Sequence, residues 1–261
     1  EPWGWDLALR SFLFRYGADN VTSEDEISVI RKLSHRRQAA ILLEQLQMDG
    51  AIGISQEASG IDEIKSFLNT HHRIVVKAPW SSSGRGVRFI EDTIDSYQER
   101  WISNVIDKQG SVMVEPYYNK VMDFGMEFES DGKGHVSYQG LSLFHTVNGA
   151  YTGNIIATEE EKELELSRYV SGELVNALKN KICVCLGDTF CGKYQGPFGV
   201  DMMIVAKQDN DGFLLHPCVE INLRRTMGHV ALAIPPYTDG CKHVMEITKR
   251  EDDFKVILSQ I

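Results

Sequence analysis

Apolar positions along this chain follow two periods, and the period switches several times. Ile27, Ile30 and Leu33 recur at helical spacing just after Ser23 and Glu26, a pair that fits a capping box. A second apolar stripe through Ala40, Leu43 and Leu46 continues the pattern, so residues 23–48 read as helix, as do residues 6–16. Ser59-Gly60 breaks the chain before a short helix near 61–69. The β-branched run Arg73–Lys77 reads as a strand, residues 81–86 as a loop, and residues 87–90 as a second strand. A helix over roughly 93–107 precedes a strand that ends at Pro116, and alternating strands follow around 122–129 and 135–144. Thr158 and Glu161 form another capping box, which opens one long amphipathic helix carrying Leu164, Tyr169, Leu174, Val175 and Leu178. A helix near 228–233 and an antiparallel finish complete an α+β pattern.

The most telling alternation flanks the polar cluster at 208–212. The apolar runs 199–205 and 213–221 on either side predict an antiparallel hairpin. Asp201 and Glu220 lie equally far from the middle of the turn and should face each other, and Asn222 shares the face of Glu220. Two carboxylates and an amide oxygen are hard ligands that suit Mg²⁺, which also takes oxygens from substrate phosphates.

Composition narrows the picture. The 261 residues, 43% hydrophobic and 25% charged, can bury a core, and no apolar run is long enough for a membrane span. A net charge of −10 argues against general nucleic-acid binding. Five cysteines, an odd number without a Cys-x-x-Cys, fit reduced thiols in a cytoplasmic protein, and Cys218 fits a small buried residue. The first residues carry neither an initiator Met nor a signal-peptide pattern, so the chain reads as starting inside a longer protein.

Lys77 closes a strand ahead of a Ser-Ser-Ser-Gly-Arg-Gly loop at 81–86. Small residues let backbone N–H groups approach phosphate oxygens, and Lys77 and Arg85 add positive charge. A surface hairpin whose glycines only make the turn is the competing reading. No P-loop pattern is present, and a protein kinase would place its glycine loop before the strand lysine. Asp123-Phe124-Gly125 resembles a kinase metal motif, but no His-Arg-Asp precedes it. Glu115, at the end of a strand, could accept from an adenine amine, and Asp123 from ribose hydroxyls.

Taken in order, Val76-Lys77, residues 81–87, Val114-Glu115-Pro116-Tyr117, Gly199-Val200-Asp201 and Glu220-Ile221-Asn222-Leu223-Arg224 resemble the ATP-grasp superfamily. The resemblance covers roughly residues 30–235. It implies two α+β lobes with mainly antiparallel sheets clasping ATP. The small lobe would cover 61–118 and the large lobe 119–261, with 1–60 a helical remnant of an N-terminal domain and its connection. It implies that Lys77 contacts the α/β phosphates and that Ser83, Gly84, Arg85 and Gly86 form a lid. Glu115 would take the adenine amine, Pro116 and Tyr117 flank the hinge, Asp123 take the ribose, and Val219 lie under adenine. Asp201, Glu220 and Asn222 would hold Mg²⁺, with Mn²⁺ as an alternative. The family's further lysine is matched only loosely, by Arg36 or Arg37.

The same resemblance implies an ATP-dependent ligase, which activates a small carboxylate as an acyl phosphate for attack by an amine or thiol. Arg224 and Lys77 would serve the chemistry, with no covalent protein nucleophile. A small-molecule kinase on the same scaffold and a non-catalytic nucleotide-binding module are the alternatives. A homodimer is compatible with the sequence; nucleic-acid and membrane partners are not expected. Trp3, Trp5 and Phe12 read as packing against a partial domain. Residues 144–154, with His145, Asn148, Tyr151 and Asn154, read as a loop that could line a substrate pocket.

Overall fold

A computed structural model of the chain describes residues 2–81, 85–147, 150–208, 211–237, 242–250 and 253–260. Among them, three helices come first: α1 (Leu7–Arg15), α2 (Glu24–Leu33) and α3 (Arg37–Gln45). The expected single helix over 23–48 is therefore two. The Ser34 hydroxyl turns back to the Ile30 carbonyl (2.8 Å), and the Arg36 N–H leaves the helix for the Pro79 carbonyl (3.2 Å). The Ser23–Glu26 capping box at the start of α2 is present.

Strand β1 (Gln56–Ala58), helix α4 (Ile61–His71), strands β2 (Arg73–Lys77) and β3 (Val87–Glu91), helix α5 (Ser96–Gln109) and strand β4 (Val112–Pro116) follow. The four strands form a small antiparallel sheet in the order β1-β4-β2-β3. α4 and α5 cover one face of it through Ile64, Leu68 and Ile102, packed on Ile74, Val76 and Val114.

The large sheet holds β5 (Lys120–Asp131), β6 (Val136–Val147), β7 (Ala150–Ile156), β8 (Gln195–Ala206), β9 (Phe213–Asn222), β10 (His243–Arg250) and β11 (Asp253–Gln260). Their order is β11-β10-β7-β6-β5-β8-β9, with antiparallel neighbours throughout. Helices α6 (Glu159–Leu166) and α7 (Gly172–Phe190) lie between β7 and β8 in the chain, and α8 (Met227–Leu232) follows β9. The one long helix expected from Thr158 onward is thus split; Ser171 caps a new start by accepting from the Leu174 N–H. Within the segment 144–154, expected as a loop, residues 144–147 end β6 and residues 150–154 open β7, with Phe144 paired to Asn154.

The main core lies on one face of the large sheet. Phe124, Met126 and Phe128 of β5 alternate inward and meet Phe190 and Phe198, with Phe128 and Phe198 stacked at 5.2 Å. Leu33, Leu42, Leu43 and Leu46 of α2 and α3 pack on the same core. The kinase-like triplet is accordingly mid-strand, with Phe124 fully buried and Gly125 opposite Asp201. No described helix is long and apolar enough to cross a membrane.

Candidate functional site

The face of the large sheet opposite its apolar core carries a row of polar side chains. The expected hairpin is present: Asp201 of β8 pairs with Glu220 of β9, and Gly199 with Asn222, beside a bulge near Asp201. On the other side of β8, Gly125 pairs with Asp201 and Glu127 with Gly199. Gly125 in turn pairs with Ser142 of β6, whose hydroxyl accepts from the Asn154 amide of β7 (2.8 Å). Five neighbouring strands thus share one floor. Above it lies a cavity of about 860 Å³ bordered by Glu127, Ser142, Asn154, Asp201, Glu220, Asn222 and Arg224.

The electrostatics of this floor are unbalanced. The Asp201 carboxyl is pushed up to about 7, first by burial and then by the charges of Glu220 and Glu127. The Asn222 amide donates to it at 2.9 Å, and Arg224 lends a weaker positive charge. Arg224 itself donates to the Asn222 Oδ1 (3.0 Å) and to its neighbour's carbonyl. Glu220 takes both carboxylate contacts from Arg36 (3.0 and 2.9 Å).

The break between α2 and α3 is what delivers Arg36. Its guanidinium is buried, donates to the Ala78 carbonyl (2.7 Å) and to the Ser81 hydroxyl (2.8 Å), and so ties Glu220 to the base of the β2–β3 loop. Arg37 points outward to Glu57 instead. Of the two arginines matched to the family lysine, only Arg36 reaches the cleft.

On the facing sheet, Lys77 and Glu115 are both buried and form an ion pair with each other. Cys218, 2% exposed, belongs to the main apolar core; its thiol is pushed up by burial and feels the charges of Asp201, Glu115, Lys77 and Glu220. His216, fully buried on β9, faces the Tyr118 ring at 5.4 Å, and burial lowers it to about 4. The Tyr118 hydroxyl accepts from the Ile54 N–H, and burial raises it to about 12.

The remaining expected residues fall in several places. Asp123 accepts from Lys120 (2.5 Å) and from the Thr146 hydroxyl (2.6 Å). Tyr117 lies half out of the small sheet with Arg73 over its ring at 4.2 Å, whereas its neighbour Tyr118 turns inward. Pro116 ends β4, and Val219 is half-buried beside the β9 bulge. Arg85 is exposed; Gly86 is buried, and a Cβ there would fall 2.4 Å from the Ser81 side chain. Ser83 and Gly84, like Asn148, lie outside the described residues. Trp3 and Trp5 border the cavity, and the Trp3 carbonyl accepts from the Arg225 N–H (2.9 Å).

Glu127 was not singled out by the sequence. Phe124, Met126 and Phe128 alternate with Asp123, Gly125 and Glu127, which puts Glu127 on the face of Asp123. That alternation was the available signal.

Among the described residues, no three His, Cys, Asp or Glu side chains converge closely enough to hold a metal ion. The candidate set is two carboxylates and an amide. A carboxyl as buried as Asp201, with two acidic neighbours and one amide donor, has the charge excess that a divalent cation relieves.

No protein-family model and no curated protein sequence matches the chain. Solved structures do. The biotin carboxylase domain of Hydrogenobacter thermophilus 2-oxoglutarate carboxylase, in complex with MgADP, ADP and bicarbonate, aligns with a TM-score of 0.57 at 14% identity, covering 92% of this chain and 55% of that one. Campylobacter jejuni biotin carboxylase aligns at 0.56 and 12% identity, covering 94% and 58%. Staphylococcus aureus N5-carboxyaminoimidazole synthetase with ADP aligns at 0.52 and 14% identity, covering 84% and 58%. The chain has the ATP-grasp fold, α+β with antiparallel sheets. It spans 55–58% of the length of these three proteins.

Proposed function

We propose that the chain binds Mg·ATP in the cleft between its two sheets and uses it to activate a carboxylate as an acyl phosphate, which an amine or thiol then attacks. The observation that carries this reading is the acidic floor. Asp201 and Glu220 pair across β8 and β9, Asp201 is raised to about 7, and Arg36 ties Glu220 to Ala78 and Ser81, directly after the strand that ends in the buried Lys77. Such a floor is costly at rest and becomes favourable when a cation shares it. Asp201, Glu220 and Asn222 are the residues that would hold Mg²⁺, which supplies positive charge to the phosphate oxygens when bound.

The chain's own cations act from other sides. Lys77 exchanges Glu115 for phosphate oxygens, which frees Glu115 to accept from the adenine amine. Arg36 does the same when it leaves Glu220, and its hold on Ser81 keeps it at the base of the phosphate loop. Arg224, fixed by the Asn222 amide, points its charge into the cavity where the acyl phosphate forms. Preorganised positive charge of this kind is the main contribution a protein makes to phosphoryl transfer.

Thermal unfolding with and without Mg·ADP or Mg·ATP tests the binding step. A rise in Tm is expected for the native chain and is lost in Asp201→Asn and Lys77→Met. No rise with either nucleotide in the native chain would overturn the reading. A stable phosphorylated product, in place of an amide or thioester, would make the protein a kinase.

A further inference from the structure

We propose that Glu127, with His229 behind it, receives the ammonium group of the nucleophile and takes the proton which that group must lose. This rests on the ligase reading and narrows it to an amine.

Glu127 is 3% exposed, yet it borders the cavity beside Asp201. Its Oε2 is buried and has no hydrogen-bond donor. Arg36 is engaged by Glu220, Arg224 by Asn222, and Lys162 by the Leu141 carbonyl. Among the described residues, the one basic group against Glu127 is His229 of α8, whose Nδ1 stands 2.9 Å from Oε2 without hydrogen-bond geometry.

The His229 contacts fix where its protons can be. Nε2 lies 3.3 Å from the Phe128 carbonyl, which can only accept, so Nε2 carries a proton. Nδ1 lies 3.2 Å from the Thr226 N–H, which can only donate. The Thr226 N–H occupies the Nδ1 lone pair, so His229 gives Oε2 no proton and Oε2 is left without a donor. Glu127 therefore meets the cavity as a carboxylate whose charge the neighbouring histidine does not satisfy by a hydrogen bond.

Space has been made for this carboxylate. A Cβ on Gly228 would fall 1.9 Å from its Oε1, and one on Gly199 2.7 Å from its Oε2. Glycine at both places lets the N-terminus of α8 and strand β8 close around it. A side chain held in so little room, with a free acceptor, is a poor surface charge and a suitable ligand for an ammonium group. A thiolate would be repelled by the same carboxylate and by Asp201, so the structure favours an amine.

The step balances. The ammonium group gives one proton to the Glu127 carboxylate, which exposes the nitrogen lone pair. That pair forms the C–N bond. The C–O bond of the acyl phosphate breaks with its electrons on the departing phosphate, and the second nitrogen proton leaves with that phosphate. The titratable groups facing Glu127 are His229 from α8, Asp201 from β8 and Tyr138 from β6.

The test uses the full chain loaded with Mg·ADP and four amine probes at millimolar concentration: methylammonium, ethanolamine, putrescine and lysine. At least one should raise Tm further, while the uncharged counterparts methanol and ethylene glycol should not. Glu127→Gln should keep the Mg·ADP shift and lose the amine shift, and Glu127→Asp should recover part of it. Phosphate release from ATP dependent on that amine should fall on the order of 100-fold or more in Glu127→Gln at neutral pH. It should recover as pH rises and free amine appears, whereas a purely structural loss would be independent of pH. The proposal is overturned if no probe acts on the native chain, or if Glu127→Gln keeps the amine shift. Loss of the Mg·ADP shift in Glu127→Gln would also overturn it, since Glu127 would then belong to the metal set. Absence of any Mg·ADP shift in the native chain would remove the ligase reading itself.

Discussion

The two sheets handle buried charge in opposite ways. On the small sheet, Lys77 and Glu115 are buried as a matched pair, one positive and one negative. On the large sheet, Asp201, Glu220 and Glu127 bring three acids to one cavity, met by Arg36 on Glu220 and by His229 beside Glu127. The first arrangement is complete at rest, and a ligand has to break it. The second is incomplete at rest, and a ligand completes it. Fold stability should therefore depend on the small-sheet pair, whereas ligand response should depend on the large-sheet acids.

The largest effect should come from breaking the matched pair. Lys77→Met leaves Glu115 buried without its partner, which costs roughly 3–5 kcal/mol. The double variant Lys77→Met/Glu115→Met replaces both charges with apolar groups and should recover most of that loss. Urea unfolding of the three proteins measures it. Equal stability of Lys77→Met and the native chain would mean that the pair contributes nothing to the fold.

The acidic floor should behave in the opposite sense. Asp201 is raised from 3.8 to about 7, so between those values the folded chain binds protons that the unfolded chain has released. Its contribution to stability is present at low pH and is lost as pH rises from about 4 to about 7. The loss is roughly 2–4 kcal/mol, shared with Glu220 and Glu127. His216, lowered from 6.5 to about 4, acts with the opposite sign over the same window, losing stability as pH falls. The difference between the native chain and Asp201→Asn therefore isolates Asp201. Asp201→Asn should be the more stable of the two at pH 8, with a gap that closes by pH 4, as measured by urea midpoints. A gap that does not change with pH would contradict the burial argument.

Much of the large-sheet floor was legible in the sequence, because a hairpin is local. The turn cluster and the alternation on either side of it were enough to pair Asp201 with Glu220. Glu127 was harder to read. Its strand was recognisable, but its place beside Asp201 depends on which strands pair, and β5 and β8 lie some seventy residues apart with two helices between them. The helix breaks at Ser34–Arg36 and Ser167–Ser171 were missed for a different reason. The apolar stripe runs on across both, and neither carries a proline. Serine hydroxyls end or restart those helices by bonding to the backbone, a competition that apolar spacing does not register. The missed break at Arg36 mattered most, since it is what turns this side chain into the cleft.

Arg36 is where the two regions meet, and it gives the smallest of the three effects. Its guanidinium bonds the Glu220 carboxylate, the Ala78 carbonyl and the Ser81 hydroxyl together, while its Nε has no partner. Glu220 is partly exposed, so water can replace much of what it loses when Arg36 is removed. Arg36→Ala should cost about 1–2 kcal/mol, below the Lys77→Met loss, because the carboxylate left behind is not sealed in. Its effect on ligands should separate the two halves of the site. Freed of its competitor, Glu220 should respond to Mg²⁺ alone more strongly than in the native chain, as read from the Tm shift with the metal. The shift with Mg·ADP should shrink, because the phosphates lose the cation held at the base of their loop. Unchanged responses to both would mean that the arginine only joins the lobes and has no part in the exchange of protein contacts for ligand contacts.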